Sequence, residues 1–161
     1  MFDDLLAANR RYAETAPRGL EGVARAGVAI VTCMDSRLDP LPMLGLELGD
    51  AKVIRTPGAH VTRDALNGCI LAVNLLKANR VLVIAHTKCA MASCDDDEMR
   101  ERVAVASGRN ADNLSVGADP NQIDHLRDDV ARLRNHRLIA DRAEVAGFLY
   151  DVDTALLRPV G

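Results

Sequence analysis

Apolar residues along this chain fall into two kinds of pattern. The runs Gly27-Val28-Ala29-Ile30-Val31 and Val81-Leu82-Val83-Ile84-Ala85 are short, uncharged and rich in β-branched side chains, as strands buried on both faces of a sheet read. They predict strands over about Val28–Thr32 and from Val81 to His86, with another, Ala51 to Arg55, after the turn at Gly49-Asp50. Elsewhere the apolar positions recur at helical spacing. Phe2 to about Ala16 carries Leu5, Leu6, Ala8 and Tyr12 and stops at Pro17-Arg18-Gly19, and a helix from Thr62 to about Ala78 carries Leu66, Ile70, Val73 and Leu76, with Thr62 as its cap. A third runs from about Gln122 to Arg134 through Ile123, Leu126, Val130 and Leu133.

The remaining segments are shorter or more polar. Asp39-Pro40-Leu41-Pro42 predicts a short helix through Leu48 with Asp39 as N-cap. The acidic Asp95-Asp96-Asp97-Glu98 precedes a helix over Met99–Ala106, where the helix dipole favours negative charge. Residues Gly108 to Pro120 read as a long polar loop, and Ala143–Val152 with Ala155–Val160 as a final strand pair turning at Asp153-Thr154. Alternation of strand and helix with short connections predicts right-handed crossovers between parallel strands. The expected fold is α/β, three-layer α/β/α with a mainly parallel central sheet, as one domain over residues 1–161.

Composition narrows the function. A formal net charge of −3 offers no electrostatic footprint for nucleic acid or an anionic membrane surface. Two Phe, two Tyr and no Trp leave little for stacking bases. No stretch reaches the roughly 18 apolar residues of a membrane span, and Met1-Phe2-Asp3-Asp4 is acidic where a secretory signal is basic. A cytoplasmic location is expected, where Cys33, Cys69, Cys89 and Cys94 are read as metal-binding, catalytic or buried rather than disulfide-bonded.

The chemistry gathers just past two of the buried runs. Cys33-Met34-Asp35-Ser36-Arg37 follows the first and His86-Thr87-Lys88-Cys89 the second, and the carboxyl ends of neighbouring parallel strands share one crevice. Cys33, His86 and Cys89 then supply three of the four donors of a tetrahedral Zn²⁺, the catalytic pattern with one position left for water. Asp35 is either a fourth ligand or a hydrogen-bond acceptor beside the metal, and Arg37 can hold its carboxylate with two prongs. Cys69 sits among apolar helix positions and reads as core. Cys94 is a competing thiol, and His125 and His136 read as surface residues. His60 is weighed as a proton shuttle, since imidazole titrates near neutrality, against an incidental loop histidine.

Cys-x-Asp-x-Arg after one buried strand and His-x-x-Cys after another, in this order, resembles the β-class carbonic anhydrases. Val53-Ile54-Arg55-Thr56-Pro57-Gly58-Ala59 is similar to the family's Arg-Asn-x-Gly loop, and Gly147-Phe148-Leu149-Tyr150-Asp151-Val152 to its last strands. Departures are Ala90 in place of the usual Gly, Thr56-Pro57 in place of Asn-Ala, and the scarcity of the aromatic residues that often narrow the family's pocket. The resemblance implies one Zn²⁺ per chain and reversible hydration of CO₂ to bicarbonate and a proton, by a zinc-bound hydroxide that Asp35 and Arg37 orient. It implies an open state with Asp35 on Arg37 and a closed one with Asp35 on zinc, and substrate contacts from Gly58 and the Ala59 amide. A homodimer or homotetramer follows by the same likeness, the N-terminal helix packing on a partner subunit. The rivals are a non-catalytic zinc module with Asp35 locked on the metal, a hydrolase of a related small molecule such as carbon disulfide, and a metal-free thiol redox protein.

Overall fold

The computed structural model describes residues 1–161. Its elements are α1 (Asp3–Thr15), β1 (Val28–Cys33), β2 (Ala51–Thr56), α2 (Arg63–Leu75), β3 (Arg80–His86), α3 (Asp96–Ser107), α4 (Gln122–Arg134), β4 (Glu144–Tyr150) and β5 (Leu157–Val160). The five strands form one sheet in the order β2-β1-β3-β4-β5. All neighbours run parallel except β5, which folds back antiparallel on β4. This is the mainly parallel α/β architecture expected from the sequence.

Every residue of β1 is buried, because both its faces are covered. On one face Ala29, Val31, Val81, Val83 and Val145 pack under Ala65, Cys69 and Ala72 of α2 and Leu126, Val130 and Leu133 of α4. On the other, Val28, Ile30 and Ile84 meet Leu38, Met43, Leu44 and Met91 from irregular segments. Cys69 is fully buried in the first cluster, as read.

Thr62 caps α2, its side chain accepting from the Ala65 N–H, and Asp95 caps α3 by accepting from Glu98 N–H. The helix expected from Asp39 to Leu48 is absent. Only a 3₁₀ turn forms, Pro42–Leu44, with no side-chain cap. Gly45 takes φ 66° directly after it, a left-handed residue that ends a helical segment after one turn. The sequence between Gly108 and Pro120 is a loop, and Asp96 ties it down by accepting from Ser115 Oγ at 2.7 Å and from the Ala118 N–H at 2.7 Å.

Helix α1 stands apart: none of its residues is buried. Phe2, Leu5, Leu6 and Tyr12 are 64%, 62%, 54% and 55% exposed, so its apolar stripe finds no partner within the chain.

Candidate metal centre

In the strand order, β2 lies on one side of β1 and β3 on the other. The chain therefore reverses direction across the sheet between β1 and β3, and such a switch point leaves a crevice at the carboxyl ends of the strands. Cys33 is the last residue of β1 and His86 the last of β3. Lys88, with φ 55°, turns the chain so that Cys89 returns to the same spot. Left-handed backbone at a residue with a β-carbon is uncommon, and here it lets two potential donors three apart face one centre. The ligand atoms of Cys33, His86 and Cys89 all lie within 4.8 Å of one another, and all three residues are buried.

Around this centre the backbone supplies hydrogen bonds to sulfur. Cys33 receives them from the amides of Asp35 and Gly58, and Cys89 from those of Met91 and Ala92. The two sulfurs also hydrogen-bond to each other, which pushes Cys33 down to about 4 and Cys89 up. His86 Nδ1 lies 2.9 Å from the Thr87 carbonyl. With Nδ1 donating to that oxygen, the buried Nε2 keeps its lone pair and faces the Cys33 sulfur. A buried imidazole nitrogen facing two buried thiols, all three ligand atoms within 4.8 Å of one another, is a donor set that fits Zn²⁺.

Asp35 is held by Arg37 in a fork: Nε donates to Oδ1 at 2.9 Å and Nη2 to Oδ2 at 2.8 Å, and the Arg37 backbone N–H adds a third bond at 2.9 Å. The side-chain bond to Arg37, outweighing burial, holds the carboxyl well below the usual range. Asp35 Oδ2 lies 3.8 Å from His86 Nε2, and Arg37 Nη2 also donates to the Lys88 carbonyl at 3.0 Å, tying the two ligand loops together. Arg55 staples the first loop from β2, donating to the carbonyls of Cys33 at 2.9 Å, Asp35 at 2.6 Å and Leu38 at 3.2 Å. The sequence placed Arg55 in a family-like loop but gave it no task. An arginine at a strand end beside a metal loop, with many carbonyls and few carboxylates in reach, was the available signal.

Not every expected residue sits as read. Gly58, with φ 67°, spends its amide on Cys33, and Ala59, with φ 65°, is buried. A Cβ at Gly58 would stand 2.5 Å from His60 Nε2 and 3.1 Å from Met91 Cβ, so only glycine fits there. Ala90 opens a 3₁₀ turn and is not among the left-handed residues, so glycine is not required at that departure. Cys94 is buried but lies outside the three-donor cluster. His136 accepts from the Leu138 N–H at the end of α4. His125, read as a surface residue, is 34% exposed and packs on His60, the ring centroids 4.2 Å apart.

Comparison with known proteins agrees with this geometry. The carbonic anhydrase family model matches residues 28–157. Beta-carbonic anhydrase 1 of Mycobacterium tuberculosis is 31% identical over 158 residues, covering 98% of this chain and 96% of that protein. A carbon disulfide hydrolase of Acidithiobacillus thiooxidans is 28% identical, covering 94% of this chain and 84% of that protein. The crystal structure of a carbonic anhydrase from Streptococcus mutans superposes with a TM-score of 0.87 at 33% identity, covering 99% of this chain and 97% of that one. The chain belongs to the β-carbonic anhydrase family of zinc-dependent lyases.

Proposed function

We propose that this chain catalyses the reversible hydration of CO₂ to bicarbonate and a proton, with Cys33, His86 and Cys89 holding one zinc ion. The observation that carries the reading is the buried Nε2 of His86 directed at two hydrogen-bonded thiols, with the Asp35–Arg37 fork alongside. When bound by Cys33, His86 and Cys89, zinc would supply acidity to a water molecule and so make a nucleophile available near neutral pH. Asp35, kept ionised by Arg37, accepts a hydrogen bond from the attacking water and turns its lone pair toward the carbon. Arg37 is a positioning residue, because its guanidinium is committed to Asp35 and the Lys88 carbonyl. The fork supports the open arrangement over the locked one, in which Asp35 would have left Arg37 for the metal. Gly58 and Ala59 are proposed at the substrate side of the loop, Gly58 also steadying Cys33.

The exposed apolar stripe of α1 supports a homodimer in which this helix, an extension of a single β-carbonic anhydrase-like domain, packs on a second copy. Light scattering at micromolar concentration checks it, and a monomer mass contradicts it. A cytoplasmic location fits four cysteines that are all unbonded. No helix is long and apolar enough to cross a membrane.

A second reading, carbon disulfide hydrolysis, is favoured by the relatives that carry that name at 26–29% identity. Both substrates are small, linear and attacked at carbon, so the ligand set does not separate them. Assaying CO₂ hydration and carbon disulfide hydrolysis on the same zinc-loaded preparation decides. Hydration is expected to dominate; sulfide release with no hydration would assign the second activity.

A further inference from the structure

A second set of metal-type donors lies beside the zinc centre. The ligand atoms of His60, His125 and Asp129 are all within 4.8 Å of one another. His125 and Asp129 are one turn apart on α4 and so share a face of that helix. His60 comes from the other side, just past Gly58 and Ala59. His60 Nε2 and His125 Nδ1 are both buried and neither makes a well-formed hydrogen bond; the Gly117 backbone approaches His60 and the Asp119 carboxylate approaches His125, both too poorly placed to satisfy the rings fully. Burial first, and then the neighbouring His125, keep His60 below its ordinary imidazole value, so at neutral pH it is uncharged with a lone pair to give.

The carboxylate is half committed. Asp129 Oδ2 accepts from the Val61 N–H at 2.7 Å, and Oδ1 from Arg132 Nη2 at 3.0 Å. Arg132 is about half exposed, with side-chain accessibility of 49%, and is free to swing outward, whereas the Val61 contact fixes the orientation of the carboxylate. Asp119 Oδ2 stands 3.5 Å from His125 Nδ1 and adds negative charge. The cluster lines an open cleft of about 310 Å³, so an ion has a way in.

We propose that His60, His125 and Asp129 form a second, exchangeable site for a first-row divalent cation such as Zn²⁺, Co²⁺ or Ni²⁺, with Arg132 as the cation that holds Asp129 while the site is empty. Two imidazoles and a carboxylate suit those ions, whereas Ca²⁺ and Mg²⁺ require a shell of oxygens. The three donors must close to roughly 3.3 Å from one another to meet a tetrahedral ion, which rotation of the side chains achieves. An ion here would tie the loop that carries Gly58 to α4.

The test is a titration of Co²⁺ into the untagged, zinc-loaded full chain, followed by calorimetry and visible spectroscopy, with zinc counted by elemental analysis before and after. One additional Co²⁺ per chain is expected, with weak visible bands and no thiolate-to-cobalt charge transfer, the zinc content unchanged. His125→Ala should abolish this event while keeping one zinc per chain, which also reports that the variant is folded. Arg132→Ala should tighten Co²⁺ binding, because Asp129 Oδ1 then loses the guanidinium that competes with the ion for it. No Co²⁺ bound beyond the zinc, charge-transfer bands showing entry into the thiolate centre only, or an event undiminished in His125→Ala would each overturn the proposal. Because the readouts are stoichiometry and spectrum, they stand or fall independently of CO₂ hydration.

Discussion

Two clusters of three donors lie within one molecule, each with its ligand atoms inside 4.8 Å, yet they differ in how they are held. Cys33, His86 and Cys89 are wholly buried at the ends of two central strands. Their thiols are met by four backbone amides, and their loops are stapled by Arg37 and Arg55. His60, His125 and Asp129 join a loop to a helix at the rim, and one donor oxygen is already occupied by an arginine. On the reading proposed above, preorganisation would separate a resident metal from an exchangeable one more sharply than the number of donors does.

Removing a ligand from the first cluster should have the largest effect. Cys33→Ser should strip most zinc and all measurable CO₂ hydration, read by elemental analysis and stopped flow; zinc retained at one per chain would break the ligand assignment. Arg37→Ala comes next. It frees Asp35 to move onto the metal, so turnover should fall by about 10- to 100-fold while zinc stays bound, and near-full activity would remove the fork from the account.

Acid should separate the fork from the metal. The Asp35 carboxyl is depressed in the folded state, so its contribution is complete above the ordinary carboxylate value of about 4 and is lost only as pH falls through the lower, folded value. His86 and the thiols must be deprotonated to bind metal. Zinc should therefore leave on acidification before the Asp35–Arg37 pair opens, which zinc release against the carboxylate signal of Asp35 in NMR would show. Loss of the pair first would invert the order. Arg55→Ala should loosen the first ligand loop and weaken zinc by about tenfold, measured by competition with a chelator. The smallest effect on the metal belongs to Cys69→Ser, which should keep one zinc per chain and destabilise the fold by about 1–3 kcal/mol, since a hydroxyl is buried among apolar side chains.

The strands and the first cluster were legible in sequence for one reason: runs buried on both faces are uniformly apolar, so the polar residue that ends each run stands out. Cys33, one residue past the polar Thr32, and His86 stand at those ends. The α2 cap was legible because Thr62 satisfies an orphan amide three residues on, whereas Asp95, which does the same for α3, reads in sequence only as part of an acidic run. What escaped reading depends on contacts far apart in the chain. Arg55 acts on carbonyls about twenty residues back, Asp96 on a loop about twenty residues ahead, and His60 meets His125 only because α4 packs beside the loop. The i, i+4 spacing of His125 and Asp129 was visible, but one turn of helix names no third donor. The expected helix after Asp39 failed for a local cause, the left-handed Gly45 following two prolines.

The most direct test of the central claim is stopped-flow CO₂ hydration from about pH 7 to about 9 on protein whose zinc has been counted, the range in which a zinc-activated water titrates. One zinc per chain and a rate rising with pH is the result this structure predicts. A full complement of zinc with no hydration at any pH would contradict it, and would leave a metal-binding fold with a different task.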